Sequence, residues 1–508
     1  MARPPLADLD GSHFEVVIIG AGAVGCATAR ELAERGYRTL LVDRGDIGAG
    51  TSARSSRMLY SGVGYLAPRY PLWQMVLHPR DMLERLRYTR QVMRCRAELV
   101  RLMPGHLTRH SFHYPFRRGD RYPAWLVGIG FRLADALGEW EFPLSYRRKN
   151  RADAAGLSPL AAELGGSLTG VGHFEEYMYA WPERICVDTA LDAERRGAII
   201  RTYTAVTGLQ RTADRWQVTL EEREPHATGI ANLTADLVVN AAGPWIDMVP
   251  GAGRGPRVLG VKGVNVMVRL PEGFRGLGLE AFSSKGEPFY VFPWRDLHFM
   301  GPTETVVSAD PDEIRVEDAE IDYILAEANQ LFPRLRLDRC DVLHAWCGVR
   351  PTSTLDGRSP VLPVRVVADP ATPQLLAVTG STIMLHRHAA RMVARAVEER
   401  LGIRADGPHG PIVKPEPPQT AEGLTALVHR EHVIRLGDLI RRRLPDGLGP
   451  DLGLDRAEEL SHALAAAKDW TEDRRHAELR DFHDEVARIN PAPTGGGFRH
   501  AAESGQPG

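Results

Sequence analysis

A glycine-rich hexad, Gly20-Ala21-Gly22-Ala23-Val24-Gly25, separates a β-branched run at residues 14–19 (FEVVII) from strong helix formers at 24–35. A short, uniformly apolar run is the pattern of a buried parallel strand. Gly36 stops the helix, and residues 37–42 (YRTLLV) supply a second strand that ends at Asp43. Strand, glycine turn, helix and strand within about thirty residues are the context that a dinucleotide-binding βαβ unit requires. Gly20 permits the tight turn, Gly22 lets the backbone approach a pyrophosphate, and Gly25 lets helix and strand pack closely. Ala23 and Val24 open a helix whose free N–H groups and partial positive charge suit phosphate. Asp43, eighteen residues beyond Gly25, is placed to accept hydrogen bonds from an adenosine ribose and would repel a 2′-phosphate.

The hexad alone does not separate a nicotinamide from a flavin dinucleotide. The next segment, Gly50-Thr51-Ser52-Ala53-Arg54-Ser55-Ser56-Arg57, does so by packing hydroxyl and basic residues just after the second strand. Such a loop supplies donors to a pyrophosphate and a flavin ring.

The chain has 508 residues, room for two or three structural units. A net charge of −2 gives no footprint for nucleic acid. Five cysteines, none in a C-x-x-C pair, argue against a zinc site or disulfide framework and make a reducing cytoplasm the default. The first twelve residues lack the apolar core of a signal peptide, and no apolar run approaches the roughly 18 residues of a membrane span. Peripheral contact with the inner face of a membrane stays open. Residues 72–137 read as mainly helical with a break at 115–123. Short strands follow at 199–220, 237–241, 257–270 and 288–300, a helix at 317–332, a strand at 375–378 and a helix at 388–401. Residues 405–419 form a Pro-rich linker, two amphipathic helical stretches follow at 421–444 and 455–489, and 491–508 reads as a disordered tail.

The stretches VVIIGAGAVGCATARELAERGYRTLLVDRGDIGAGTSARSSRMLYSGVGYL, VVNAAGPWID, WCGVRPT and TGSTIMLHRHAARMV resemble, in order, the FAD-dependent glycerol-3-phosphate dehydrogenase family, within the D-amino-acid-oxidase-like flavoproteins. PAWLVGIGFRLADALG, FPWRDLHFMGPTE, EHVIRLGDLIRRR and DWTEDRRHAEL extend the likeness over nearly the whole chain. The resemblance implies an α/β fold: a Rossmann-type FAD-binding domain from 13–80, 171–255 and 340–404, an antiparallel cap domain from 81–170 and 256–339, and a helical domain at 420–490. It implies non-covalent FAD. Gly20, Gly22, Ala23, Val24, Gly25, Asp43 and Arg44 would hold the ADP half. Thr51, Ser52, Ser55, Ser56 and Arg57 would meet the pyrophosphate, ribityl chain and ring, and Val206 the adenine. Ala242, Gly243 and Trp245 would close over the cofactor, with Gly348 to Arg350 and Gly380, Ser381, Thr382 and Ile383 beside the ring.

Flavin oxidation of a C–H bond needs that carbon held against the ring, an acceptor for the O–H or N–H proton, and a fixed cation for the reduced flavin. Arg350 is the first choice for the cation and for a substrate anchor. Lys262, Arg365 and His386 are further candidates by position, with Tyr65, Thr382 and Asn265 lining the substrate pocket. The family typically reads HGGLRYL where this chain has Gly64, GGKLTTYR where it has Thr382, and KGSH where it has Asn265. An arginine, a lysine and a histidine are thus replaced by neutral residues. Each charged hydrogen bond to phosphate is worth about 1.5–3 kcal/mol. The expectation is therefore an FAD-dependent dehydrogenase or oxidase acting on a CH–OH group of a polyol, sugar or cyclitol. The acceptor is a quinone or oxygen. The rival readings are glycerol-3-phosphate oxidation with Arg117 and Arg118 rebuilding the phosphate site, amine oxidation, and a non-catalytic flavoprotein docking through the basic helix 435–443.

Overall fold

The computed structural model describes residues 3–489, apart from 68–69, 71–73, 75–76, 121, 151–159, 161–162, 165–166, 213, 252, 254, 354–362, 405–406 and 408–409. The tail at 491–508 and part of the linker lie outside the described residues.

Two sheets carry the molecule. In the first, the parallel strands run in the order Ile199–Arg201, Thr39–Val42, His13–Ile19, Ile230–Asn240 and Thr372–Thr379, the doubly wound arrangement that the glycine hexad requires. The strand at its centre is apolar from Val16 to Ile19 because both its faces are buried there. Val16 and Ile18 pack under the helices Ala23–Glu34, Pro182–Arg195 and His386–Leu401, while Val17 and Ile19 pack against the antiparallel strands Thr204–Arg211 and Trp216–Glu222.

The second sheet is mixed and has ten strands. Its core, from Leu259–Val268 through Leu297–Gly301 and Pro288–Trp294 to Gly278–Phe282, is antiparallel. One face packs on helix Asp318–Leu331 through Val264, Val266, Leu279 and Val291. The other presents Met267, Tyr290, Phe292, Trp294 and Trp346 toward the first sheet. The expected helical stretch 72–137 is interrupted by a long strand, Leu107–Arg117, paired antiparallel with Leu168–Tyr179. Its aromatic residues Phe112, Tyr114 and Phe116 join the second core, and this burial overrides the local helical reading. Met58–Leu59, Leu168–Tyr179 and Val342–Thr352 are all strands of the second sheet.

The C-terminal helices Ala421–Arg430, Ala457–Lys468 and Glu472–Ile489 enclose their own core. The arginines at 435–443, read as a solvated or docking face, instead turn inward. Arg443 forks onto both oxygens of Asp46 at 2.7 Å, and Arg442 reaches the same carboxylate and Asp438. Burial raises the Asp46 carboxyl, but the two guanidiniums more than offset this and leave it below the ordinary range. Arg184 and Glu431 form a second buried pair across the same junction. Asp46 begins the loop that leads to Thr51, so the helical domain braces one wall of the site described next.

Candidate functional site

A cavity of about 1660 Å³ lies between the two sheets. Ligand pockets for drug-sized molecules span roughly 300–1,000 Å³, so the space suits a dinucleotide together with a second molecule.

One end is built by the glycine turn. Gly20 adopts φ +104°, and a Cβ there would stand 2.8 Å from the Ala241 carbonyl oxygen. Gly22 caps the helix without a side chain, and the first turn carries no acidic residue, so the positive helix end faces the cavity undiluted. Asp43 lines this end and accepts N–H bonds from Ala21 at 2.6 Å and Gly45 at 2.8 Å. Burial raises its carboxyl and the two N–H bonds oppose that. Each oxygen keeps a second lone pair for a ribose hydroxyl. Arg44 lies over the Trp245 ring and pairs with Asp312 at the mouth. Ala23, Val24, Val206, Ala242, Gly243 and Trp245 complete the wall. Gly25 does not face the space. A Cβ there would sit 1.8 Å from the Gly20 oxygen, so its role is the contact between helix and turn.

The hydroxyl-rich loop divides its work. Thr51, Ser52, Arg54, Ser55, Ser56 and Arg57 all line the cavity. Thr51, however, donates its hydroxyl to the Val349 carbonyl, and Ser52 accepts the Ala23 N–H. Both tie the loop to its neighbours. Arg57 sits at φ +56° with its guanidinium 4.0 Å from the Trp294 ring centre and 5.3 Å from that of Trp346. Its Nε and Nη1 are buried without a hydrogen-bond partner, and burial pulls its pKa down to about 10. A cation held this way, in a low-dielectric wall, stabilises negative charge arising beside it without reorganising.

The other end is built by the second sheet and the strand Val342–Thr352. Alternation along a strand sends successive side chains to opposite faces, and here it decides which candidates arrive. Asn265, Gly348 and Arg350 face the cavity, as do Tyr65, Ser381, Thr382 and Ile383 from the loops. Thr382 Oγ1 is buried there with no partner, an unused polar atom of the kind a bound flavin or substrate would satisfy. A flavin dinucleotide therefore fits the residues present: a glycine cradle, a helix N-terminus, a fixed cation and an orphaned hydroxyl.

Four candidates lie elsewhere. Lys262 precedes the cavity-facing Gly263 and so points to the opposite face, where it pairs with Glu320 at 2.8 Å and Glu317 at 3.2 Å. His386 is buried at the start of its helix with Nδ1 against the Ile383 carbonyl, and burial pulls its pKa down to about 4. Arg365 is exposed on the edge strand Arg365–Asp369 of the first sheet. Gly380 shapes a turn at φ +71°, its Cβ position blocked by the Pro363 oxygen at 2.3 Å.

The structure adds residues that spacing did not single out. Glu304 lines the cavity and binds Arg350 at 3.0 Å. Tyr60, Tyr114 and Tyr290 give the far end phenol walls, and Lys285 stands at its rim, as does Arg117 of the expected pair Arg117 and Arg118. Residues 288–294 (PFYVFPW) carry the signal for Tyr290, because aromatics at 290, 292 and 294 share one face of a strand.

A family model described as FAD-dependent oxidoreductase (DAO) matches residues 15–396. A glycerol-3-phosphate dehydrogenase from Synechocystis sp. is 29% identical over 366 residues, 69% of this chain and 63% of the relative. A D-erythritol 1-phosphate dehydrogenase from Brucella abortus is 28% identical over 360 residues, 69% of this chain and 64% of the relative. The chain thus spans under two thirds of the length of these relatives. Among solved structures, the glycerol-3-phosphate dehydrogenase from Bacillus halodurans complexed with FAD superposes with a TM-score of 0.72 at 19% identity, covering 96% of this chain and 97% of that one. That likeness extends the shared fold to the C-terminal helices.

Proposed function

Because the chain belongs to the FAD-dependent oxidoreductase family, we propose that it holds FAD in the cavity between its two sheets and oxidises a CH–OH group of a polyol, sugar or cyclitol. FAD supplies the two-electron acceptor. The chain's own residues hold the isoalloxazine end between the 348–350 and 381–383 segments, exclude water with phenol walls, and orient the alcohol from Arg350. The observation that carries the substrate class is the ion pair of Arg350 with Glu304 inside the cavity. A carboxylate already neutralises the cation that a phosphate ester would seek, and Gly64, Asn265 and Thr382 add no charge around it. A hydroxyl accepts from or donates to this pair without displacing it, whereas a phosphate brings its negative charge beside the Glu304 carboxylate.

A second reading, oxidation of a polyol phosphate, draws on the named activities of the relatives and on Arg117 and Lys285 at the rim. Anaerobic mixing of the FAD-loaded protein with glycerol 3-phosphate, D-erythritol 1-phosphate, erythritol and myo-inositol separates the two. The expected result is faster bleaching of the flavin by the uncharged polyols. Faster bleaching by either phosphate ester would replace the first reading with the second. Reoxidation by air or by a soluble quinone then identifies the electron acceptor.

A further inference from the structure

The oxidation removes a proton from the alcohol as well as a hydride, and none of the histidines at the candidate positions reaches the cavity. His386 is sealed off, and His298 and His344 are buried, with pKa values lowered to about 4 and about 3, in each case mainly by burial.

A different set of groups does reach it. Tyr60 and Tyr290 line the far end of the cavity with Tyr65. The Tyr60 ring meets Tyr65 edge-on at 5.5 Å and Tyr290 at 6.2 Å between centres. The Tyr60 hydroxyl accepts the Gly64 N–H. Tyr290 donates to Glu280 Oε1 at 3.3 Å, its direct cross-strand neighbour. Tyr65 in turn lies within the field of Arg350 and Glu304, at the substrate anchor. The Tyr290 hydroxyl thus links the cavity it lines to the Glu280 carboxyl behind it.

We propose that Glu280, acting through Tyr290, takes up the proton released by the substrate hydroxyl. This rests on the alcohol-oxidising reading above. The substrate O–H bond breaks as an O–H bond forms on Tyr290, and the Tyr290 proton moves to the Glu280 carboxylate. The C–H hydrogen leaves with its electron pair to FAD, and the alcohol carbon becomes a carbonyl. The phenol ends neutral, having gained one proton and passed one on. Glu280 is a positioning residue in this scheme, because it touches Tyr290 and not the substrate.

The surroundings suit a proton store. Burial raises the Glu280 carboxyl, and neighbouring Glu176 raises it further, to about 8, against the opposing hydrogen bond from Tyr290. Glu176 comes from strand Leu168–Tyr179 and is itself held by Arg96. Tyr114 faces Glu280 from strand Leu107–Arg117, and Tyr60 faces it from the loop. Among the described residues no arginine or lysine pairs with Glu280. A carboxyl in this state accepts and returns a proton near neutral pH, where an ordinary glutamate would stay ionised.

Glu280→Gln, Glu280→Asp and Tyr290→Phe, each loaded with FAD, test this against the same four substrates. The wild-type rate of flavin reduction rises with pH and levels off above about 8. In E280Q that rising limb disappears and the plateau falls about 100-fold, while FAD content and KM stay within about threefold of wild type. E280D restores part of the limb, and Y290F loses it. A readout without turnover is the pH dependence of stability, with the wild type losing stability relative to E280Q as pH rises from about 4.3 toward 8. An unchanged rising limb in E280Q, or a stability difference independent of pH over this range, overturns the proposal and leaves the alcohol-oxidising reading intact. Failure of all four substrates to bleach the wild-type flavin overturns both.

Discussion

Replacing Gly25 with alanine isolates the contact on which cofactor binding depends. The added Cβ would lie 1.8 Å from the Gly20 oxygen and 3.0 Å from its carbonyl carbon. Non-bonded carbon atoms settle at about 3.5–4.0 Å, so helix Ala23–Glu34 must retreat from the turn by more than 1 Å. Both obstructing atoms are backbone, and no side chain can rotate away. The retreat carries the helix end and Gly22 away from the phosphates. Overpacking of this kind costs about 1–3 kcal/mol in the fold, and the loss in FAD affinity is expected to be at least as large, about 10–100-fold. Gly36→Ala is the control, since Gly36 has φ +77° and nothing within 4 Å of its Cβ position. It strains the backbone by about 1 kcal/mol without touching the cofactor turn. The assay is FAD titration by fluorescence quenching beside urea denaturation of each apoprotein. A Gly25→Ala protein that binds FAD within threefold of wild type, or a Gly36→Ala protein that loses affinity equally, would refute the assignment of Gly25 to helix–turn packing.

The remaining expectations concern charges. Arg350→Met should lower kcat/KM by about 10–150-fold, the loss of one charged hydrogen bond of about 1.5–3 kcal/mol. Glu304→Gln, which frees Arg350, should shift substrate preference toward phosphate esters in competition assays. Asp46→Asn leaves Arg443 buried without its bidentate counter-charge, and Arg442 with Asp438 alone, and should cost about 3–5 kcal/mol, read as an earlier urea transition of the C-terminal helices. Because the folded Asp46 pKa is depressed, its contribution is complete above the unfolded value of about 3.9 and is lost as pH falls through the folded value. Wild type and Asp46→Asn should therefore converge in stability as pH falls below the unfolded value and through the depressed folded one. Arg57→Met should leave the thermal midpoint unchanged or raised, since it removes a desolvated and partly unpaired guanidinium. It should also lower the two-electron potential of bound FAD by about 20–40 mV, at about 30 mV per 1.4 kcal/mol, in a dye-linked reductive titration.

The first sheet was legible because its signals are local. A β-branched run, a glycine turn, a helix and an acid at a strand end lie within thirty residues, and each carries its own meaning at sequence level. The second sheet was less so. Strand Leu107–Arg117 owes its form to a partner some sixty residues away, Leu168–Tyr179, and to a shared aromatic core, neither of which periodicity in its own neighbourhood reveals. The arginines at 442 and 443 read as surface because arginine usually is; their buried partner, Asp46, lies some four hundred residues earlier in the chain.

The candidate site divides along the same line. Loop residues placed beside the glycine turn arrive at the cavity, because a short loop has little choice of direction. Candidates on strands depend on parity, and a motif fixes position along the chain without fixing the face. Lys262 and Asn265 differ by an odd number of positions on one strand, so only one of them can face the cavity. Arg350 faces it together with Gly348, and the register that pairs Gly348 with Gly263 and Val261 with Arg350 joins the two strands into a single wall. Glu280 and Tyr290 escape a search by motif because each is ordinary alone. They become a unit only when the antiparallel register sets them opposite one another, which places the carboxyl one hydrogen bond behind the cavity wall.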